Sequence, residues 1–595
     1  MGKILVIDLS SAKTEEIQIS REILTKLIGG RGLGAYLLYK ILPPNVDPLS
    51  DENLLIIANG PLNGTRMPLA SKVGIYFKSP LTEIFGESYV GGSLPRYPKC
   101  IGYDAVVFKG RAQKPTYVVI SDDGVEFRNA LELWGKGVVE TDNALRKEFG
   151  KNATIVTIGP AGENLVRFAA ICVDKWRQAG RCGGGAVMGS KNLKAVVFLS
   201  DTLYVSPARD NEFQDVISEL MTRIRKSRAV SRMRRLGTSG MVYTANKMGF
   251  FPTRYWSSGF MNGWENIGPD AVQKILVHPH PCWNCPIACG RYVKVKTKWG
   301  TIEMDGVDYE VLFSLGGLIG VNKIENVVYL NYLADDLGLD AISLGNVIGF
   351  AIEAAKRGKI KVEIDYGDAD SIVKLIMDIA YRRNVGRILA DGVARAAKEL
   401  NLEEIAVHVK GLEPPGYDPR VLKGMILAYA TSPRGACHLR MMAYYVDLAG
   451  LAGEPHEVTE RKVRKLIEFE NFMTAFDSLI LCKFGRSVVD FEIMLRAFNA
   501  AIGIDFSMSE FVEALERILA IIRLFNYREG IRRKHETLPT RFITDKIVDS
   551  KGKVHEIKQE EIDFFLNTYY RLRNYNEDGI PTENLKRKLL SGIIK

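Results

Sequence analysis

The sequence predicts an α+β protein, with a sheet-rich N-terminal domain followed by two mainly α-helical domains. Up to about residue 205, short β-branched runs such as Leu54-Leu55-Ile56-Ile57-Ala58, Ala105-Val106-Val107-Phe108, Thr116-Tyr117-Val118-Val119-Ile120 and Ala195-Val196-Val197-Phe198-Leu199 are separated by Gly, Pro, Asp and Asn turns. From Ser206 the pattern changes to amphipathic segments of helical period, with Asn211 a natural cap for Glu212 to Arg225. A switch this sharp marks a domain boundary. A softer one follows where the helix ending in Ala396-Ala397-Lys398-Glu399-Leu400 gives way to an expected short strand, Ile405-Ala406-Val407-His408-Val409. The expected domains are 1–205, 206–405 and 406–595.

The chain begins with an expected strand, Met1-Gly2-Lys3-Ile4-Leu5-Val6-Ile7-Asp8, that turns at Ser10-Ser11-Ala12-Lys13. It lacks the apolar core and small-residue cleavage site of a signal peptide, and a cytoplasmic location is expected. A length of 595 residues is too great for one core. No apolar run approaches the ~20 residues needed to cross a bilayer, so no membrane association is expected. The eight cysteines include only one cluster, which suits metal binding in a reducing compartment better than a disulfide framework. The net charge of +10 favours an acidic partner without naming it. Six glutamines amid abundant Lys, Arg and Glu give a thermophile-like bias.

That cluster is Cys282-Trp283-Asn284-Cys285-Pro286-Ile287-Ala288-Cys289. Three thiolates from one tight turn suit a four-iron, four-sulfur (4Fe-4S) cluster, with Cys437 or Cys482 as the fourth ligand. Structural zinc held by the three cysteines and His278 or His280 is the chemical rival. Three cysteines this close cannot all pair as disulfides.

Glycine-rich turns come next. Gly29-Gly30-Arg31-Gly32-Leu33-Gly34 lacks the preceding strand and βαβ unit of a dinucleotide fingerprint. In Arg177-Gln178-Ala179-Gly180-Arg181-Cys182-Gly183-Gly184-Gly185, consecutive glycines and two arginines suit a phosphate or diphosphate, although a tight connection would need the same glycines. Gly91-Gly92 after Tyr89 is a weaker case of the same pattern. The basic runs Arg223 to Arg228 and Arg232 to Arg235 read as a solvated helix face that could also touch phosphates.

Two acidic strings lie on the helical side. Asp335-Asp336-Leu337-Gly338-Leu339-Asp340 places Gly338 as a left-handed helix cap and Asp340 as the cap of the next helix. Asp477-Ser478-Leu479-Ile480-Leu481-Cys482 is a related string that carries a distant cysteine. Such repetition suggests a pair around one central object, each carboxylate accepting from an amino-pyrimidine edge. Glu310, ahead of an apolar helix, could be buried and raised toward the pKa of a general base. His438 sits in a turn between Arg434 and Arg440. Either side chain taken alone has an ordinary structural reading.

Together these segments resemble the tungsten-dependent aldehyde:ferredoxin oxidoreductases along essentially the whole chain. The resemblance includes Ile158-Gly159-Pro160-Ala161-Gly162-Glu163-Asn164, Ala186-Val187-Met188-Gly189-Ser190-Lys191-Asn192-Leu193-Lys194, the cysteine cluster and both acidic strings. It implies that the N-terminal domain is a base for two tungstopterins, and that Cys282, Cys285, Cys289 and Cys482 hold one 4Fe-4S cluster. Pterin and phosphate contacts would fall on Lys72, where the family pattern has arginine, and on Tyr89, Gly91, Arg177, Gln178, Gly180 and Arg181. On the helical side they would fall on Asp335, Leu339, Asp340, Arg434, Arg440, Asp477 and Lys483. Magnesium between the pterin phosphates would meet the carbonyls of Tyr89 and Gln178. Glu310 and His438 match the acid and histidine beside the metal, as proton acceptor and substrate-orienting group.

Besides Lys72, three positions depart from the family pattern. Ile480 replaces a glycine, so the second string's turn can differ. Tyr329 and Tyr332 replace a Glu-x-x-His pair that holds iron between subunits in some members, so an iron-bridged homodimer is not expected. The implied reaction is oxidation of an aldehyde plus water to a carboxylic acid, with electrons passed to ferredoxin or a small iron-sulfur subunit. A low-potential reductase subunit of the benzoyl-CoA reductase type is the alternative within the fold. A zinc-dependent nucleic-acid-binding protein and a noncatalytic electron-transfer subunit are the rivals outside it. The aldehyde and the choice of tungsten over molybdenum stay open.

Overall fold

The computed structural model describes residues 2–594, so Met1 of the expected first strand lies outside the described residues. Before residue 200, two six-stranded sheets form. The first contains β1 (Lys3–Asp8), β2 (Lys13–Gln18), β3 (Leu55–Ala58), β4 (Val73–Lys78), β5 (Phe85–Val90) and β6 (Ala105–Lys109), in the order β2-β1-β6-β3-β4-β5. The second contains β7 (Thr116–Ser121), β8 (Gly124–Asn129), β9 (Thr154–Thr157), β10 (Ile171–Val173), β11 (Arg177–Ala179) and β12 (Leu193–Phe198), in the order β11-β10-β9-β12-β7-β8. Each sheet is antiparallel apart from one parallel pair, β1 with β6 and β12 with β7.

Strands β3, β4 and β12 are buried at every position, as largely apolar runs covered on both faces should be, and their two lysines, Lys78 and Lys194, are paired with Glu529 and Glu163. The outer edges behave differently. β2 is exposed throughout and β8 largely so, and both carry the charges that keep an open edge from pairing with another chain. The inner edges, β5 and β11, pack against each other. This seam positions the site.

The rest of the chain is largely helical and packs on the sheets through one extensive core, contrary to the several cores expected from the length, with only a small second cluster around Tyr117, Leu145 and Ile155. Gly30–Ile41, the glycine-rich run set aside as a dinucleotide turn, is a buried helix. A Cβ at Gly34 would overlap the Tyr76 ring at 2.3 Å, and one at Gly32 would meet the Leu27 carbonyl at 2.1 Å, so the glycines serve close packing. Among the described residues no single helix is long and apolar enough to cross a membrane.

Three local expectations need correction. The helix after Ser206 spans Asp210–Lys226 and is capped by Arg209, not Asn211. Backbone bonds from Ala208 and Arg209 to the carbonyls of Ala501 and Ala500 fix the chain there, and the helix starts at once. Residues 405–409 form no strand, because only the single bridge Val409 to Leu412 is available to pair them. Within the helical half, β13 (Leu276–His280), β14 (Gly290–Thr297) and β15 (Gly300–Asp305) form a small antiparallel sheet, and the cysteine turn is the connection from β13 to β14.

A candidate active site at the seam of the two sheets

Each acidic string docks on one sheet, and the two dockings correspond. The helix Ile324–Leu337 ends at Gly338, with φ 75°, and Asp340 caps Ala341–Lys356 by accepting from the Ile342 N–H, both as expected. This string meets the second sheet: Ala170 N–H donates to the Gly338 carbonyl (2.8 Å) and Asp340 N–H to the Phe168 carbonyl (3.1 Å). The second string ends the helix Glu460–Leu479 and meets the first sheet, where Cys482 N–H donates to the Leu69 carbonyl (2.8 Å). Gly159 lies against the Leu337 carbonyl as Gly60 lies against the Leu479 carbonyl. Ile480 takes the cap at φ 59°, a conformation that a β-branched residue adopts only under strain. The substitution therefore keeps the turn.

The side chains expected to bind cofactor gather over β5 and β11. Successive side chains point to opposite faces of a strand, so Glu87 and Tyr89 share one face of β5. Glu87 is fully buried and receives Arg31 through both carboxylate oxygens (2.9 and 3.0 Å) and Arg440 at 3.1 Å. Burial by itself raises its pKa, yet Arg31, Arg440 and Arg434 outweigh burial and hold the carboxyl well below the usual range. Arg440 also pairs with Asp477 (2.8 Å) and lies over the Tyr89 ring, and Lys483 donates to Asp477 (2.8 Å). Arg434 donates to the Glu87 carbonyl (2.6 Å). The sequence reading missed Arg31 and Glu87. Nothing local distinguishes either, although a lone arginine in a glycine-rich buried helix is a hint.

Over β11 and the turn that follows, Arg181 pairs with Asp340 (3.0 Å) and donates to the Glu413 carbonyl (2.6 Å). Leu339 is buried, and Asp335 is held by Asn331 (3.1 Å), with burial and then Asp308 and Asp305 pushing its pKa well up. A Cβ at Gly180 would have its nearest neighbour, Asp340 Oδ1, 3.8 Å away. The Nε atoms of Arg434 and Arg440 are buried without a hydrogen-bond partner. Orphaned guanidinium donors are costly, and an anionic, donor-hungry ligand such as a pterin phosphate would satisfy them. The residues present fit that group.

The four expected cluster cysteines also converge. Burial first, then Cys482 and Cys282, pushes the Cys285 thiol up to about 11, and the other three thiols act on Cys289 in the same direction. Gly91 sits so close that a Cβ there would lie 2.4 Å from Cys282 Sγ. Lys72 and Arg177 face these thiols: burial lowers the Lys72 pKa, but Cys282, Cys482 and Cys289 raise it further. Arg177 is held by Asp305 (2.5 Å) and the His280 carbonyl (3.1 Å), and so lies between the seam and the cysteine turn.

The rival ligands are engaged elsewhere. His280 bonds Asp305 (2.9 Å), His278 stacks on Tyr292, and Cys437 accepts from Arg434 (3.0 Å) and the Leu439 N–H (3.3 Å). Among the described residues, no three His, Cys, Asp or Glu side chains converge on a point as a single ion would require.

Glu310 and His438 come together near this seam. Glu310 lies in the short turn Tyr309–Val311, capped by Asp308, ahead of a π-helical turn at Leu312–Gly316. Its Oε2 accepts from the Gly416 N–H (3.1 Å), and Oε1 lies 3.5 Å from His438 Nε2. Burial raises the Glu310 pKa to about 8. Burial, then Arg434 and Arg181, drives His438 well below its usual value, so its imidazole is neutral. Tyr417 stacks on His438 (5.2 Å) and on Tyr444 (4.2 Å), which gives the pair an aromatic wall. Tyr329 stacks on Trp299 (4.3 Å) and Tyr332 lies against Trp176, so both departing side chains are engaged in aromatic contacts.

Comparison with known proteins agrees with this architecture. Residues 4–200 match the model for the aldehyde ferredoxin oxidoreductase N-terminal domain, and residues 215–590 match that for its domains 2 and 3. The chain is 39% identical to a tungsten-containing aldehyde ferredoxin oxidoreductase of Pyrococcus horikoshii, over 98% of each chain. It is 31% identical to the WOR-like subunit of an aliphatic sulfonate oxidoreductase of Pyrococcus furiosus, over 100% of this chain and 97% of the other. Among solved structures, a chain of the BamBC active-site complex of benzoyl coenzyme A reductase superposes with a TM-score of 0.84 at 24% identity, covering 99% of this chain and 96% of that one, a likeness of fold alone. The chain belongs to the aldehyde ferredoxin oxidoreductase family.

Proposed function

We propose that this protein oxidises an aldehyde plus water to a carboxylic acid and passes the electrons to a ferredoxin-type carrier. The observation that carries this reading is the Glu310–His438 pair, buried 3.5 Å apart beside the donor-lined seam. Tungsten-containing aldehyde ferredoxin oxidoreductases of Pyrococcus furiosus and Pyrococcus horikoshii, at 38% and 39% identity along nearly the whole chain, support it.

Arg181, Arg434, Arg440 and Lys483 would hold the pterin phosphates, and Asp335, Asp340 and Asp477 would accept from the pterin edges. Lys72, Tyr89, Gly91, Arg177, Gln178, Gly180 and Leu339 would line the same seam, with magnesium at the Tyr89 and Gln178 carbonyls. Cys282, Cys285, Cys289 and Cys482 would ligate the cluster. When bound, tungstopterin would accept the electron pair and the 4Fe-4S cluster would release it one electron at a time. The assignment of 206–405 and 406–595 as separate helical domains belongs to the same reading.

The chain's own residues handle the proton and the carbonyl. Forming the carbon–oxygen bond requires a proton to leave the oxygen nucleophile, and Glu310, raised to about 8, accepts it from its deprotonated form, whose share grows as pH rises toward and past that value. Neutral His438 can donate to the aldehyde oxygen, orienting the carbonyl without placing a second charge in a buried site. Tyr417 and Tyr444 exclude water and offer flat apolar contact to the substrate.

Metal-replete protein supplied with short-chain and aromatic aldehydes and a low-potential dye tests the proposal. Aldehyde-dependent dye reduction is expected, with acid formed in equal amount. Absence of turnover across the panel would refute it.

A further inference from the structure

The basic runs are not explained by this chemistry. Between Glu219 and Glu265 the chain has no acidic residue. Arg225, Lys226, Arg228, Arg232, Arg234 and Arg235 are all exposed along the end of Asp210–Lys226 and the following helix, Arg228–Leu236. Among the described residues none of the six forms an ion pair, whereas nearby Arg223 is neutralised by Glu219 and Asp490. A solvated face usually intersperses both signs, because like charges within a Debye length of about 10 Å repel. This face does not.

Its place in the fold is specific. Arg291 donates to the carbonyls of Arg234 (2.7 Å) and Arg235 (2.8 Å), and also to those of Ala288 (2.8 Å) and Cys289 (3.2 Å). Arg234 donates in turn to the Pro286 carbonyl. The basic helix is thus fastened to the cysteine turn. Cys282, Cys285 and Cys289 are partly exposed on that turn, while Cys482 is buried. Trp283, between two of the cysteines, packs on exposed Tyr204 (5.7 Å), and Arg66 covers that ring (5.5 Å).

We propose that this face, the basic helix with Tyr204 and Trp283 beside it, is the docking surface for an acidic, low-potential iron-sulfur protein. The inference rests on the reading of the four cysteines as an electron-exit cluster. Charge complementarity selects the partner: unneutralised cations would steer and orient a protein of opposite sign, raising its association rate at low salt. The aromatic pair provides contact area beside the thiols, since Trp283 lies between Cys282 and Cys285. A phosphate backbone would also be attracted by such cations, but it would gain nothing from their position on the cysteine turn.

Charge reversal of Arg228, Arg232 and Arg235 together, in holoenzyme, tests the proposal; Arg234 is spared because it bonds the turn. Turnover with a small dye is expected to stay within about twofold of wild type, while KM for a purified acidic ferredoxin rises about tenfold or more and loses its salt dependence. Equilibrium binding of that ferredoxin, measured without turnover, should weaken by a similar factor, and Gln at the three positions should give an intermediate loss. Unchanged KM and unchanged binding would overturn the docking surface, as would tighter wild-type binding of a random-sequence DNA duplex that the reversal abolishes. Failure of wild-type dye-linked turnover would instead remove the functional reading, and the binding measurement would still decide the docking surface.

Discussion

Glu310 Oε1 and His438 Nε2 stand 3.5 Å apart, yet burial favours the neutral form of both side chains at pH 7, so the pair is a close contact and not an ion pair, with Glu310 Oε1 left without a hydrogen-bond partner. Glu310 carries its proton below about 8 and loses it above, which sets the sign of the pH dependence. If it is the proton acceptor, kcat/KM should climb as pH rises and level off above about 8. His438, driven well below its usual value, should add no limb of its own between pH 6 and 9. Rate profiles in wild type and Glu310→Gln check this, and the variant should lose both the limb and about 100-fold or more in rate with cofactor content unchanged.

The Arg31–Glu87 pair is the main buried charge contact under the site, and both side chains are fully buried. Arg31→Met removes one partner and leaves the other charge in the interior, so stability should fall by about 3–5 kcal/mol. Denaturant unfolding of the metal-free protein measures this. Loss of pterin without loss of stability would instead make Arg31 a ligand contact.

Gly91, just after β5, lies against the cysteine turn, whose Trp283 N–H donates to the adjacent Gly92 carbonyl (3.0 Å). A Cβ there would lie 2.4 Å from Cys282 Sγ, whereas one at Gly240 has nothing nearer than 3.5 Å. Gly91→Ala should therefore lower iron and acid-labile sulfide per chain, and Gly240→Ala should leave both unchanged. Elemental analysis of the two purified variants decides it.

If Cys482 is the fourth ligand, Cys482→Ser should lose the electronic spectrum of a cubane cluster, while Cys437→Ser should keep it. Cys437 is instead a thiol whose burial is outweighed by Arg434 and Arg440, which lower its pKa to about 7. Retained iron and spectrum in Cys482→Ser would contradict the assignment.

Much of this was legible in the sequence where local chemistry dictates local structure. The β-branched runs became strands, and Gly338 and Asp340 became a left-handed cap and an N-cap. What the sequence concealed depends on distant partners. Residues 405–409 have strand composition but no strand to pair with, and the β13–β15 sheet forms in a segment that reads as helical. Arg31 and Glu87 lie 56 residues apart and gain meaning only when the glycine-rich helix, packed on β3 and β4, extends Arg31 to β5. Ile480 shows the reverse, since tertiary packing holds the turn despite a residue poorly suited to it.

The proposed function requires that the seam and the cysteine turn together hold a tungstopterin and a 4Fe-4S cluster. Elemental analysis of the native protein, purified without added metals, tests it most directly. Tungsten, or molybdenum in its place, is expected together with about four irons per chain. Zinc in stoichiometric amount, without iron and without either heavier metal, would contradict it.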